Sequence, residues 1–251
     1  MLNIVIPMAG RGSRFASAGF KDPKPFIRIS GLPMIEVVIN NLRPECEHRF
    51  IFVCQQEHLS RYSFTERLES LAPGCCVIGL DTYSEGALCT VLAASEWIDN
   101  DQPLLIANSD QWVDTDINIF IERMRKENLD GLIMTMKADD PKWSYAGMTD
   151  DGWVSRVVEK QVISDEATVG IYAFARGKEF CRLARDMVEQ NERSQGEFYV
   201  APIYTRLVSA GLTRVATFNI GRDGQGMHGL GTPEDLVRFL HNPVCERALA
   251  L

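Results

Sequence analysis

Short apolar runs rich in β-branched residues alternate along this chain with longer amphipathic stretches, and this alternation narrows the fold more than any other feature. Candidate strands occupy residues 3–7, 49–54, 75–79, 103–107, 131–136, 154–159, 168–174 and 214–218. Candidate helices lie between and after them, at 34–42, 61–71, 87–97, 117–126, 178–191, 198–209 and 233–240. The last has Thr232 placed as N-cap, Pro233 at the first helical position, and Glu234 and Asp235 in the first turn. Strands separated by helices call for a largely parallel sheet covered on both faces, an α/β fold. No low-complexity linker or repeat breaks the pattern, so one domain is expected. The strand candidates crowd together after about residue 130, which points to an inserted or mixed part of the sheet.

Composition excludes several classes. At 251 residues, 45% hydrophobic and 24% charged, the chain has enough apolar material for a sizeable core. The formal charge of −8 disfavours nucleic-acid binding, which relies on clustered Lys and Arg. That charge is uneven. Through residue 30, Arg11, Arg14, Lys21, Lys24 and Arg28 oppose Asp22 alone, a net +4 that leaves −12 for the rest. The seven cysteines are odd in number, with Cys75 and Cys76 adjacent and no C-x-x-C pair, so neither a disulfide framework nor a structural zinc site is expected. Most of them read as small buried apolar residues. No apolar run nears the roughly 20 residues that span a bilayer, and no leader precedes the first strand, so a cytoplasmic location without a membrane partner is expected.

In open α/β sheets, ligands sit beyond the carboxyl ends of the strands. After the first strand come Met8, Ala9, Gly10, Arg11, Gly12, Ser13, Arg14 and Phe15. Small residues there let backbone N–H groups approach an anion, and the arginines add charge. The P-loop pattern is absent, and the dinucleotide G-x-G-x-x-G fails because Phe15 stands where its last glycine belongs. Lys24 lies between Pro23 and Pro25, which restrict the backbone on both sides of it. Asn108, Ser109 and Asp110 follow the strand at 103–107, so Asp110 stands at a strand's carboxyl end as a magnesium-ligand candidate. Asp114 and Asp116 form a competing D-x-D, with Asp116 better placed to cap the helix at 117.

The series Gly10-x-Gly12-x-Arg14-Phe15, Pro23-Lys24-Pro25-Phe26 and Gly31-x-Pro33-Met34 resembles the N-terminal signature of the sugar-phosphate nucleotidyltransferases, the sugar-nucleotide pyrophosphorylases. The resemblance implies a Rossmann-like mixed, mainly parallel sheet flanked by helices, of the GT-A-like nucleotide-diphospho-sugar transferase type. It implies a single domain over 1–251, with a nucleotide-binding part to about residue 125 and an acceptor-binding part beyond. It also implies that Ala9, Gly10, Arg11, Gly12 and Ser13 wrap a nucleoside triphosphate, with Glu85, Gly86 and Ser109 beside the nucleotide. Arg14 and Lys24 would act catalytically by neutralising phosphate, and Asp110 would hold Mg²⁺. On the acceptor side it implies Gly147, Glu159, Lys160 and Gly170 around a phosphorylated small molecule, a sugar 1-phosphate by family default.

One position departs from that pattern. Met227 to Thr232 resembles the family's W-x-D-x-G-T segment, with Met227 at the tryptophan and Gly229 where a second metal-binding aspartate is expected. Asp223 or His228 could compensate, or Asp110 could share the ion with triphosphate oxygens and water. Two other readings remain open from the residues: a glycosyltransferase of related fold using Asp114 and Asp116, and a non-catalytic nucleotide-binding protein. The base, the acceptor and the oligomeric state leave no readable trace.

Overall fold

The computed structural model describes residues 1–250. The first half contains β1 (Leu2–Pro7), α1 (Ser13–Ser17), a ribbon of β2 (Arg28–Ile29) and β3 (Leu32–Pro33), and α2 (Met34–Leu42). Next come β4 (His48–Gln55), α3 (Gln56–Tyr62), α4 (Phe64–Leu71), β5 (Cys76–Leu80), α5 (Ala87–Leu92), α6 (Ser95–Ile98), β6 (Leu104–Ala107), β7 (Gln111–Val113) and α7 (Ile117–Lys126). The second half adds β8 (Gly131–Lys137), β9 (Ser144–Met148), β10 (Val154–Glu159), β11 (Glu166–Phe174), α8 (Gly177–Glu189) and α9 (Ile203–Ser209). It ends with β12 (Val215–Asp223), β13 (Gly226–Gly229), α10 (Pro233–Leu240) and α11 (Val244–Leu249).

One mixed sheet runs β5-β4-β1-β6-β11-β8-β12-β13-β7. β5, β4, β1 and β6 are mutually parallel, β8, β12 and β13 share their direction, and β11 and β7 run against them. The antiparallel pair β9–β10 branches off β11, which is the mixed region anticipated from the crowding of strands after residue 130. Side chains alternate across the pleat. In β1, Ile4 and Ile6 enter one core with Phe52, Leu105 and Phe120, while Val5 enters the other with Ile51, Val91 and Phe180. A third cluster of Phe15, Ile29, Met34, Trp112, Leu236 and Phe239 fastens α1, the ribbon and the C-terminal helices to the sheet rim.

The eight expected strands all form, and α2, α7 and α10 have the expected bounds. The helix expected at 61–71 breaks at Ser63, whose φ is 50°, and a second helix, α3, begins upstream at Gln56. The helix expected at 87–97 divides into α5 and α6. The one expected from 198 begins only at Ile203, because Phe198 bonds through its backbone to the loop before α5. The seven cysteines are free; Cys54, Cys181 and Cys245 are buried and the other four half-buried, and burial pushes the Cys54 thiol up to about 12 and that of Cys75 to about 11, which disfavours their thiolates. No helix among the described residues is long and apolar enough to cross a membrane.

Candidate active site

The chain steps from β1 to β4 on one side and returns as β6 on the other, so the strand order reverses between β1 and β6. A crevice opens at such a reversal, beyond the carboxyl ends of the two strands. The loops that follow β1 and β6 supply its walls, and three adjoining hollows share Pro7 at its floor.

The first hollow, about 390 Å³, gathers Gly10, Arg11, Gly12, Ser13 and Arg14 from one loop with Ser109 and Asp110 from the other, and Lys24 reaches in from between its prolines. The loop is held from below: Met8 N–H donates to Val53 O (2.9 Å), and the buried Gln55 amide donates to Ala9 O (2.7 Å). Lys24 Nζ is ion-paired to Asp110 Oδ2 with both side chains largely shielded, at 18% and 25% exposure. Gly231 lies directly behind: a Cβ there would stand 3.0 Å from Asp110 Oδ2. Leu230 N–H donates to Asp110 O (2.8 Å), so the segment after β13 forms the back wall. The hollow is therefore a cationic, glycine-lined pocket with one carboxylate, suited to a polyanion.

The second hollow, about 580 Å³, lies on the other side of the glycine loop, between Ala9, Gly10 and Arg11 and the segment Tyr83, Ser84, Gly86, Ala87, with Thr90 and Glu197 also in its wall. The Arg11 guanidinium sits over the Tyr83 ring at 4.7 Å. Gly86, at φ +130°, packs its Cα against the Phe198 backbone, where a Cβ would come within 2.4 Å of Phe198 O.

The third hollow, about 240 Å³, is lined by Trp143, Ser144, Glu159, Gly170, Tyr172 and Tyr199 among others, with Asn108 shared with the first. A register shift in β11 between Thr168 and Tyr172 bends the strand here, and Asn108 N–H donates to Gly170 O (3.1 Å). Burial raises the Glu159 carboxyl above its ordinary range, opposed by the Ser144 hydroxyl that donates to it and by the Lys160 charge. Lys160, outside the lining itself, has a left-handed conformation, φ 53°, and donates to Tyr199 OH (3.0 Å) of the hollow and to Gln195 Oε1 (3.1 Å). Its hydrogen bond to Tyr199 raises its pKa and keeps it cationic.

Most of the residues singled out in the sequence thus meet in one crevice. Glu85, Gly147 and Lys160 do not line the hollows, although Lys160 donates to Tyr199, which does. The Glu85 carboxylate turns away to Arg193, and Gly147 packs toward Ile163 within β9. Asp116 caps α7, accepting from Asn118 N–H (2.8 Å), and Asp114 pairs with Arg247 (2.7 Å), so the D-x-D serves the rim of the fold. Asp223 pairs with Arg238, and the buried His228 ring packs between Trp112 and Phe239, where burial lowers its pKa. Lys142, Trp143 and Ser144 escaped the sequence reading. The aromatic pair Trp143 and Tyr145 flanking a serine was the one available signal, masked because a strand ending in small residues has weak β propensity.

A magnesium ion is tested by the donor set. No group of three His, Cys, Asp or Glu ligands gathers among the described residues. A Mg²⁺ bound through one carboxylate and substrate phosphates needs no such cage. Asp110 beside a polyanion pocket fits an ion of that kind and does not fit one held by protein groups alone.

The family model described as nucleotidyl transferase matches residues 4–223. This chain belongs to that family, the sugar-phosphate nucleotidyltransferases. The curated relative named bifunctional protein GlmU, from Synechococcus sp. (strain CC9902), is 27% identical over 229 residues; the match covers 84% of this chain and 46% of the relative, so this chain spans about half the length of the relative. The nucleoside-diphosphate-sugar pyrophosphorylase from Vibrio cholerae RC9 is 26% identical, with a TM-score of 0.77 over 94% of this chain and 99% of its own. The inositol-1-phosphate CTP transferase from T. maritima, at 13% identity, shares the fold with a TM-score of 0.73 over 98% of this chain and 95% of its own. The family's nucleotide-diphospho-sugar transferase architecture is the fold anticipated from the sequence.

Proposed function

We propose that this protein transfers a nucleoside monophosphate from a nucleoside triphosphate to the phosphate of a small acceptor, a sugar 1-phosphate by family, releasing pyrophosphate with Mg²⁺. The observation carrying this reading is the cationic hollow of Arg11, Arg14 and Lys24 opening, through Asn108, onto the hollow that holds Glu159. The residues to about 125 would bind the nucleotide and those beyond it the acceptor. The Vibrio cholerae relative, a nucleoside-diphosphate-sugar pyrophosphorylase by name, supports the same class.

A phosphate monoester has its second pKa near 6, so the attacking oxygen is ionised at neutral pH and no general base is needed. That oxygen forms a bond to the α-phosphorus as the bond from the α-phosphorus to the bridging oxygen of pyrophosphate breaks. Two anions must meet in line, so the task is screening and alignment. Ala9, Gly10, Gly12 and Ser13 would cradle the triphosphate, with Gly86 and Ser109 beside the nucleotide. Arg14 and Lys24 would neutralise its oxygens. Glu159 would accept from acceptor hydroxyl groups beside Gly170, and Lys160 would draw the acceptor phosphate. Asp110 would hold Mg²⁺, which would supply Lewis-acid charge neutralisation when bound. Glu85 would stand on the nucleotide side with its carboxylate on Arg193, and Gly147 would shape the β9–β10 pair.

The experiment is a matrix of ATP, CTP, GTP and UTP against sugar 1-phosphates and other phosphorylated metabolites, read as pyrophosphate release. Turnover with one pair is the expected result. Tight triphosphate binding without pyrophosphate from any acceptor would make the chain a nucleotide-binding protein instead.

A further inference from the structure

Between α8 and α9 the chain makes a feature the reaction chemistry leaves unexplained. Residues 194–197 close a tight hairpin turn, Ser194 N–H to Glu197 O (3.0 Å) and Glu197 N–H to Ser194 O (3.1 Å), with Gln195 and Gly196 both left-handed. One end of this hairpin touches the nucleotide side. Phe198 N–H donates to Glu85 O (2.9 Å), Leu88 N–H donates to Phe198 O (3.1 Å), and Glu197 lines the second hollow. The other end touches the acceptor side: the Lys160 ammonium has its two described partners here, Gln195 Oε1 and Tyr199 OH. The backbone of Lys160 is separately tied to Trp143 O (3.1 Å).

Arg193 fastens the hairpin at its base. Its guanidinium is ion-paired to the Glu85 carboxylate, lies 4.1 Å over the Phe198 ring, and donates to Gly196 O (3.1 Å) and Asn191 Oδ1 (2.6 Å). With Glu85 63% exposed, the ion pair contributes little to global stability. Its consequence is geometric: one side chain touches the loop before α5, the turn at Gly196 and the ring beside Tyr199.

We infer that Arg193 is a positioning residue which, clamped by Glu85, sets the hairpin that holds the Lys160 ammonium against Tyr199, beside the acceptor hollow. The inference rests on the proposed function only in making Lys160 the group that meets the acceptor phosphate. Glu85, on the nucleotide side of the crevice, therefore governs acceptor binding rather than nucleotide binding.

Competitive acetylation read by mass spectrometry tests the geometry without any substrate. In the native protein Lys160 reacts more slowly than the exposed Lys21. Arg193→Ala, Glu85→Gln and Tyr199→Phe each raise Lys160 reactivity by about threefold while Lys21 stays constant, the size expected for one polar contact at the surface. The double variant Arg193→Ala/Glu85→Gln goes no further than either single one, because the two residues act as a unit. Arg193→Lys, which keeps the charge, recovers part of the native protection. If Tyr199→Phe frees Lys160 but Arg193→Ala and Glu85→Gln leave it protected in a protein that melts normally, the inference is overturned.

With the nucleotide and acceptor that release pyrophosphate, Glu85→Gln raises the acceptor KM by about fivefold and changes the triphosphate KM by less than about twofold. The reverse split also overturns the inference. Absence of pyrophosphate from every pair defeats the proposed function alone, since the acetylation result decides the positioning role by itself.

Discussion

At the scale of single residues, the crevice is an electrostatic device. Lys24 and Asp110 are paired and largely shielded from water, so their interaction is screened less than a surface pair. Lys24→Ala should lower kcat by about a hundredfold or more, the cost of deleting one preorganised donor at a site of developing charge, with the melting temperature little changed. Pyrophosphate release and a thermal melt on the same sample measure both. Asp110→Asn should abolish the response of the rate to added Mg²⁺ over a millimolar titration; an unaltered response would place the ion elsewhere. Glu159 carries a pH dependence of its own. Burial makes the folded protein hold this proton more tightly than the unfolded chain does. Its ionisation therefore works against folding as pH rises through the carboxyl range toward the raised folded value, and that cost is absent below the range. Glu159→Gln should melt higher than the native protein at pH 7, with the difference fading toward pH 4, while losing acceptor turnover. A differential that grows on acidification would contradict the assignment.

At the scale of elements, close backbone approaches shape the hollows. The shift in β11 brings Gly170 against Asn108, where a Cβ would come within 2.0 Å of Asn108 Nδ2, and so turns the loop after β6 toward both hollows. The loop before α5 is welded to Phe198 at Gly86, which has neither the room nor the φ for a side chain. Gly86→Ala should destabilise the protein by about 1–3 kcal/mol from backbone strain, more if Phe198 cannot yield, measurable by urea denaturation. These approaches also explain where the elements differ from the pattern in the sequence. The heptapeptide from Phe198 to Tyr204 has helical apolar spacing, yet its first residues are committed to bonds across the crevice, and the helix waits until Ile203. β9 was illegible because Ala146 and Gly147 carry little strand preference; partners β10 and β11 decide it.

At the scale of the whole molecule, the basic island near the N-terminus divides by location. Arg11, Arg14 and Lys24 line the first hollow, whereas Arg28 donates to Gly31 O (2.6 Å) and steadies the β2–β3 ribbon. A site with a single carboxylate has a consequence for metal removal. Treating the nucleotide-free protein with EDTA should leave its melting temperature within about 1 °C, whereas Mg²⁺ with the correct triphosphate at a hundred times Kd should raise it by about 5 °C or more through mass action. A large EDTA effect on the nucleotide-free protein would reveal a resident metal that Asp110 alone does not explain.

The alternation of runs determined by itself that the chain forms a helix-covered, mainly parallel sheet, because burying a β-branched run on both faces leaves few other solutions. Short-range spacing also placed Arg14 and Asp110 after strands and Lys24 between two prolines, and local capping chemistry engaged Asp116 at the start of α7. Tertiary structure alone decided which strand ends meet. The reversal between β1 and β6 joins loops about a hundred residues apart in sequence, a separation across which no periodicity carries information. It also turned Glu85 toward Arg193 and gave Lys160 its partners on a hairpin more than thirty residues away, because side-chain direction follows from contacts that exist only once the chain has closed.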